Sequence, residues 1–185
     1  MRRALKWSAT LFAGFLFVTQ QVVTYGPITD IDEALSEANH PKFRGISAFI
    51  IRRLDDLGLR SVSGIALLIV AIYIAKRFKT YRPINLGLLA FISLNVVVGS
   101  FKYALGRTKP REGFDLLHAG GMSYPSGHAS NAILIWGIIA YLIYRYAHVD
   151  RYRGRLASSA VGLLALTVCI VSLVRNTHWF SDLFG

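Results

Sequence analysis

The chain has 185 residues, of which 54% are hydrophobic, and it carries a formal net charge of +11 with a mean hydropathy of +0.44. A soluble protein of this composition would expose large apolar patches, so the composition disfavours an ordinary soluble domain and favours a protein whose solvent is lipid. The length fits a single domain over residues 1–185. The lone Cys169 excludes an intramolecular disulfide.

Five apolar runs separated by Lys and Arg are the predicted membrane spans. They occupy residues 7–25, 61–75, 83–101, 129–144 and 156–174. A spanning helix needs about 20 residues, and the two shorter runs gain length from flanking basic side chains that reach the interface. The alternatives are a buried helical bundle in a soluble protein and, for the first run alone, a cleaved signal peptide. We expect an all-α polytopic membrane bundle with an uncleaved first span.

Two polar segments between the first and second spans also show helical spacing. Residues 28–38 and 45–59 each combine an apolar face with a charged face. This pattern predicts interfacial helices that lie on the bilayer. We interpret their acidic residues as a solvated helix face, with a metal cluster as the alternative.

The loop charges predict the orientation of the chain in the membrane. With the N-terminus in the cytoplasm, the inner segments hold eleven basic residues and one acid, whereas the outer segments hold ten basic residues and nine acids. Basic residues accumulate on the cytoplasmic side of inner-membrane proteins. The excess charge is therefore a topology signal for a multi-pass plasma (inner) membrane protein, and no nucleic acid is needed to explain it.

Three polar stretches then fall on the outer side: residues 102–111, 124–128 and 175–182. The first contains four cationic side chains, Lys102, Arg107, Lys109 and Arg111, which suit a phosphate group. Taken alone, such a cluster is also typical of an anchor for lipid headgroups.

The other two stretches supply histidines. In "PSGH", Ser126 and Gly127 precede a predicted helix whose first N–H groups can hold an anion, with His128 beside them. In "HWFSD", His178 and Asp182 are four residues apart, hence on one face of a helical segment. Two histidines, a paired acid and a cationic cluster on one membrane face indicate phosphoryl transfer without a metal, in which one His attacks phosphorus and the other protonates the leaving oxygen.

These stretches resemble the three signature motifs of the type 2 phosphatidic acid phosphatase (PAP2) superfamily. Lys102 is followed by six residues and then Lys109-Pro110, which is similar to the first motif. Residues 125–128 match the second motif in full, and His178 with Asp182 match the end of the third. The motif-bearing part of the chain is residues 61–185.

The resemblance implies a membrane phosphatase that acts on a phosphate monoester or diphosphate of an isoprenoid carrier or glycerolipid, without cofactor or metal. It implies that His178 is the nucleophile that forms a phosphohistidine, that Asp182 orients it, and that His128 is the general acid. The phosphate-binding groups would be Lys102, Lys109, Ser126 and the Gly127 amide. The active site would lie on the extracytoplasmic face.

Three departures from the family pattern leave alternatives open. Lys109 stands where the family has arginine, and Ser172 stands where the third motif has arginine, so that Arg175 becomes the candidate phosphate ligand. The family has a sixth span after the motif aspartate, and we expect that this chain holds five of six spans. The alternatives are a non-catalytic protein that binds anionic lipid headgroups and a phosphotransferase of the same fold.

Overall fold

The computed structural model describes residues 2–38 and 40–185, and all regular structure in these residues is helical. The α-helices are α1 (Arg2–Val23), α2 (Pro27–Ser36), α3 (Gly45–Asp56), α4 (Arg60–Phe78), α5 (Arg82–Leu105), α6 (Gly127–Tyr146) and α7 (Arg151–Val174). Two short 3-10 turns follow α5 and α7, at Pro110–Glu112 and Ser181–Leu183. The all-α prediction is confirmed.

Four segments are long and apolar enough to cross a membrane by themselves: α4, α5 with its extension to Glu112, α6 and α7. A fifth span exists when α1 from Leu5 onwards and α2 are taken together, although the two helices meet at 72°. Within each of the four single spans, 11% to 33% of the most apolar window is buried inside the protein. Most residues of these apolar windows are therefore partly or fully exposed in the described part of the chain, which confirms the prediction of a polytopic membrane bundle.

Local sequence explains where these helices begin and end. Pro83 lies in the first turn of α5, where a missing backbone N–H costs nothing. Gly106 follows the last residue of α5 with a φ of +54°, the left-handed conformation that ends a helix and that glycine adopts without strain. Helix α5, which carries Lys102, therefore ends at Leu105, and the chain turns at Gly106 into the polar loop with the rest of the first motif, Lys109 and Pro110.

The chain divides into two compact units, which are described separately. The first comprises Met1–Pro41, Ser100–Ser126 and Leu173–Gly185, and the second comprises Lys42–Gly99 and Gly127–Ser172. The prediction of one domain over residues 1–185 stays a prediction.

The core of the second unit lies between α4 and α6. Its buried residues recur at helical spacing on each helix: Leu67, Ala71 and Ile74 on α4, and Ile135, Ile139 and Leu142 on α6. Trp136 of α6 also donates a hydrogen bond of 2.9 Å from Nε1 to the carbonyl oxygen of Leu57, just after α3. These contacts hold the middle of α6 against α4 and the end of α3; α6 itself begins with Gly127 and His128.

In the first unit, α1 and α2 pack against the loops that follow α5 and α7. Phe15 of α1 meets Phe101 of α5 edge to face, with ring centroids 4.8 Å apart. Thr19 and Tyr124 share a hydrogen bond of 2.7 Å between their hydroxyl groups. α1 thereby supports the loop that precedes the "PSGH" sequence.

Both segments expected between the first and second spans form helices, α2 and α3, but the interpretation of their acids is wrong at one position. Asp32 of α2 is 1% exposed, and its neighbour on the same face, Thr29, is also buried. Asp32 is not solvated because Arg107 and Ser181 bind its carboxylate inside the first unit.

We expect that Leu67→Ala destabilises the protein, whereas Leu68→Ala leaves its stability nearly unchanged. Leu67 is 3% exposed in the core between α4 and α6, and Leu68 is 49% exposed to lipid on the same helix. In a lipid environment the lost stability comes from lost packing contacts. Leu67→Ala should therefore lower the free energy of unfolding by on the order of 2 kcal/mol. Thermal unfolding in detergent measures both, and equal melting temperatures for the two variants would contradict this core.

Candidate active site

The carboxylate of Asp182 is hydrogen-bonded on both oxygens within the first unit. Its Oδ1 accepts a hydrogen bond of 2.8 Å from Nη1 of Arg107. Its Oδ2 accepts hydrogen bonds from the Ser123 hydroxyl and, at 2.9 Å, from the Trp179 amide. Burial by itself raises the pKa of Asp182, but the hydrogen bond with His178 and the positive charge of Arg107 lower it to below the usual value. Asp182 is therefore a buried, ionised carboxylate.

His178 is the fourth partner of this carboxylate. Its Nδ1 lies 3.2 Å from Oδ2 of Asp182, and the residue is 9% exposed. The contact does not come from a continuous helix: α7 ends at Val174, Asn176 turns the chain with a φ of +52°, and Asp182 lies in a 3-10 turn. A carboxylate on Nδ1 favours the tautomer that has its proton there, so that chemistry at His178 would proceed through Nε2.

Arg107 is completely buried and is bonded on every side. Nη1 donates to Ser181 at 2.7 Å as well as to Asp182, Nη2 donates to Asp32 at 2.7 Å, and Nε donates to Asp115 at 2.8 Å. Its guanidinium carbon also lies 5.3 Å from the centre of the Trp179 ring. The interpretation of Arg107 as part of a phosphate-binding cationic cluster is therefore wrong, because its donors are occupied by three protein carboxylates and the Ser181 hydroxyl.

The other cations of the predicted cluster have different positions. Lys102 donates from Nζ to the carbonyl oxygens of Met122 and, at 3.2 Å, Ser123, just before the "PSGH" sequence. Lys109 is exposed at the start of the first 3-10 turn. Arg111 donates two hydrogen bonds, of 3.0 Å and 2.6 Å, to the carbonyl oxygen of Arg175.

These contacts join stretches that are far apart in sequence. Arg111 connects the first motif to the segment after α7, where the side chain of Arg175 is half-buried. The amide of the buried Ser126 donates a hydrogen bond of 2.8 Å to the carbonyl oxygen of Asp182. Lys102, Ser126, Arg175, His178 and Asp182 thus all belong to the first unit, in which the Ser126 amide and the His178 ring both contact Asp182. Their catalytic and binding roles stay predictions.

Gly127 and His128 belong to the second unit and occupy the first turn of α6, as the sequence predicted for a helix entrance. Asn131 donates a hydrogen bond of 2.7 Å to the carbonyl oxygen of Gly127. Gly58, in the turn between α3 and α4, lies so close to His128 that an added Cβ would be 2.9 Å from both Cβ and the carbonyl oxygen of His128. This close approach fixes the backbone position of His128.

A cavity of about 230 Å³ adjoins His178 within the first unit. Polar lining comes from Asp32, His40 and Asn176, and apolar lining includes Leu35 and Phe180. His178, which is otherwise buried, therefore borders open space on this side.

Sequence reasoning did not assign four residues that organise this site: Asp32, Asp115, Ser123 and Trp179. Ser123 directly precedes the second motif and Trp179 lies inside the third, so their positions offered a weak signal. Asp32 offered none, because its partner Ser181 is 149 residues away in the chain. No group of three or more His, Cys, Asp or Glu side chains that could hold a metal ion exists in residues 2–38 and 40–185.

Comparison with known proteins places this arrangement in context. A family model described as "PAP2 superfamily" matches residues 85–185. Among curated proteins, phosphatidylglycerophosphatase B of Bacillus subtilis (strain 168) is 25% identical over 95% of this chain and 85% of its own length. The crystal structure of a transmembrane PAP2-type phosphatidylglycerolphosphate phosphatase from Bacillus subtilis has a TM-score of 0.82 at 23% identity and covers 95% of this chain and 86% of that one. The structural likeness confirms the fold.

We expect that Gly58→Ala destabilises the protein by about 1–3 kcal/mol, the usual cost of overpacking. The new methyl group would collide with the backbone of His128 and with Cγ1 of Val168, and backbone cannot rotate away as a side chain can. The control is Gly137→Ala on α6, where an added Cβ meets nothing within 4 Å. Thermal unfolding in detergent compares the two, and a stable Gly58→Ala variant would contradict the close approach.

Proposed function

The chain belongs to the PAP2 superfamily, and from this premise we propose that it is a membrane phosphatase that hydrolyses a lipid phosphate through a phosphohistidine at His178. The observation that carries the proposal is the buried pair of His178 and Asp182, whose carboxylate is held by Arg107, Ser123 and the Trp179 amide. A carboxylate fixed on both oxygens holds an imidazole in one orientation and stabilises the positive charge that the ring gains on attack.

In the first step, Nε2 of His178 attacks phosphorus, and the bond between phosphorus and the lipid oxygen breaks. Asp182 stabilises the resulting charge on the ring through Nδ1. His128 gives a proton to the leaving oxygen, which departs as the lipid alcohol or, for a diphosphate, as the lipid monophosphate. In the second step, water attacks the phosphohistidine while His128 takes up a proton, and inorganic phosphate and free His178 result.

Five groups are proposed to hold the phosphate oxygens. Lys102, Lys109 and Arg175 supply positive charge, and the Ser126 hydroxyl and the Gly127 amide supply hydrogen bonds at the start of α6. Preorganised donors of this kind stabilise the charge that develops on the oxygens in the transition state. Lysine at position 109 provides charge without the bidentate geometry of arginine.

For the substrate we propose a glycerolipid phosphate, with an isoprenoid diphosphate as the alternative. The curated relative is named as a phosphatidylglycerophosphatase. At 25% identity this similarity justifies testing phosphatidylglycerophosphate first. Transfer of the phosphoryl group to an acceptor other than water would use the same first step.

We further propose that the site faces the outer side of the plasma membrane and that no metal takes part. The orientation rests on the excess of basic residues in the segments assigned to the cytoplasm. The absence of a metal requirement rests on the chemistry of the proposed groups, since a histidine nucleophile and a histidine acid together complete the reaction.

We expect detergent-solubilised protein to release inorganic phosphate from a lipid phosphate in the presence of EDTA, and His178→Ala to abolish the release. The control is His148→Asn, which changes an exposed histidine and tolerates its φ of +50°. A panel of phosphatidylglycerophosphate, phosphatidic acid and an isoprenoid diphosphate identifies the substrate. Wild-type protein that binds these lipids but releases no phosphate would favour the non-catalytic alternative, and release only without EDTA would contradict the metal-free mechanism.

We expect His128→Ala to slow hydrolysis of a lipid phosphate by roughly 100-fold or more, the usual contribution of a general acid. An activated aryl phosphate needs little protonation of its leaving oxygen, so its hydrolysis should fall by less than about tenfold. Steady-state kinetics on both substrates with the same preparation measures the difference. Equal losses on the two substrates would show that His128 is not the general acid.

A further inference from the structure

We propose that Asp32 and Arg107 are positioning residues that set the orientation of Asp182, which makes α2 a working part of the active site. The inference rests on the proposed function of His178 and Asp182 and adds to it. Asp32 lies outside residues 85–185, which match the family model, and outside the three motifs. Its assignment depends on contacts within the first unit alone.

Arg107 fixes the carboxylate of Asp182 from the side opposite His178. Nη1 of Arg107 binds Oδ1 of Asp182 at 2.8 Å, while His178 faces Oδ2 at 3.2 Å. The plane of the carboxylate, and with it the direction in which Oδ2 meets the imidazole, is therefore set by the position of the guanidinium. Arg107 is rigid because Asp32 and Asp115 hold Nη2 and Nε.

Asp32 acts on Asp182 through a second route, the backbone. Its Oδ1 accepts a hydrogen bond of 2.8 Å from the amide of Ser181, and its Oδ2 accepts one of 2.5 Å from the Ser181 hydroxyl. Ser181 begins the 3-10 turn in which Asp182 is the next residue. The carboxylate of Asp32 thus binds both the Arg107 guanidinium, which contacts Asp182, and the backbone of Ser181, the residue that precedes Asp182.

The charges support a geometric role for Asp32. The guanidinium of Arg107 carries one positive charge, and Asp115 and Asp182 already bind it. Asp32 is a third carboxylate, and its side chain is 0% exposed. Its charge is not needed to neutralise Arg107, and its burial costs desolvation free energy. Asp115 binds Nε and one side of Nη2, and Asp32 takes the remaining donor of Nη2, so that Nη1 is left to Ser181 and Asp182. Asp32 therefore contributes to the orientation of the guanidinium.

The test is the Asp32→Asn variant, which keeps the size of the side chain but replaces an acceptor of the Arg107 and Ser181 hydrogen bonds with an amide donor. We expect kcat on the lipid phosphate to fall at least tenfold per folded protein while KM changes less than threefold. Arg107→Lys should lower kcat similarly, because one ammonium group cannot reproduce the fork that binds three carboxylates. Ser181→Ala, a small truncation, should lower kcat at least threefold.

Two controls separate positioning from stability. Asp30→Asn removes the same charge from an exposed position on α2 and should leave kcat unchanged. Leu67→Ala destabilises the second unit without touching this network, and its kcat per folded protein, measured well below its melting temperature, should stay within twofold of wild type.

The outcomes are distinct. If Asp32→Asn, or Ser181→Ala should the first fail to fold, lowers only the melting temperature and leaves kcat unchanged, the network is structural and the inference is wrong. A tenfold rise in KM at constant kcat would mean that Asp32 contacts the substrate, which also overturns it. An inert wild-type protein would instead refute the proposed function itself, together with every role derived from it.

Discussion

The ion pair between Arg107 and Asp182 is the interaction on which the rest of the first unit depends. It lies where three segments meet: the loop after α5, the turn after α7, and, through Asp32, helix α2. A buried charge without a partner costs several kcal/mol, so these segments must come together correctly or not at all. The requirement that stabilises the fold here also places His178 against Asp182.

Lipid as the solvent explains why the membrane spans of this protein leave so much apolar surface exposed. The spans expose most of their apolar surface, which is stable only in a bilayer, and their packing depends on close contacts such as those between α4 and α6. In the four single spans the charged side chains lie near the helix ends, and polar side chains inside the spans, such as Asn95 and Thr167, bond the carbonyl oxygen four residues before them. The candidate site is built at such helix ends.

The cationic residues of the first motif have divided roles. Arg107 binds three carboxylates. Arg111 binds the backbone of Arg175, and Lys102 binds the loop before the second motif. The charges that the proposed mechanism assigns to phosphate are therefore fewer and better defined than a cluster of four cations suggests. A cationic side chain near a motif can stabilise the fold as readily as it can bind substrate. Only the hydrogen-bond partners of its nitrogen atoms distinguish a structural role from a binding role.

The sequence by itself determined the all-α membrane fold, the approximate bounds of the spans, the helix that begins at the second motif, and the membership in the PAP2 superfamily. These are local properties, because hydrophobic runs, helix starts and short motifs are each written in neighbouring residues. Only the tertiary structure decided that Asp32 is buried, that Arg107 is bound by protein rather than open to phosphate, and that a turn instead of a helix joins His178 to Asp182. Those outcomes depend on contacts between side chains that are up to 149 residues apart in the chain. A charged side chain is buried where a distant residue binds it, and its neighbours in sequence do not determine this.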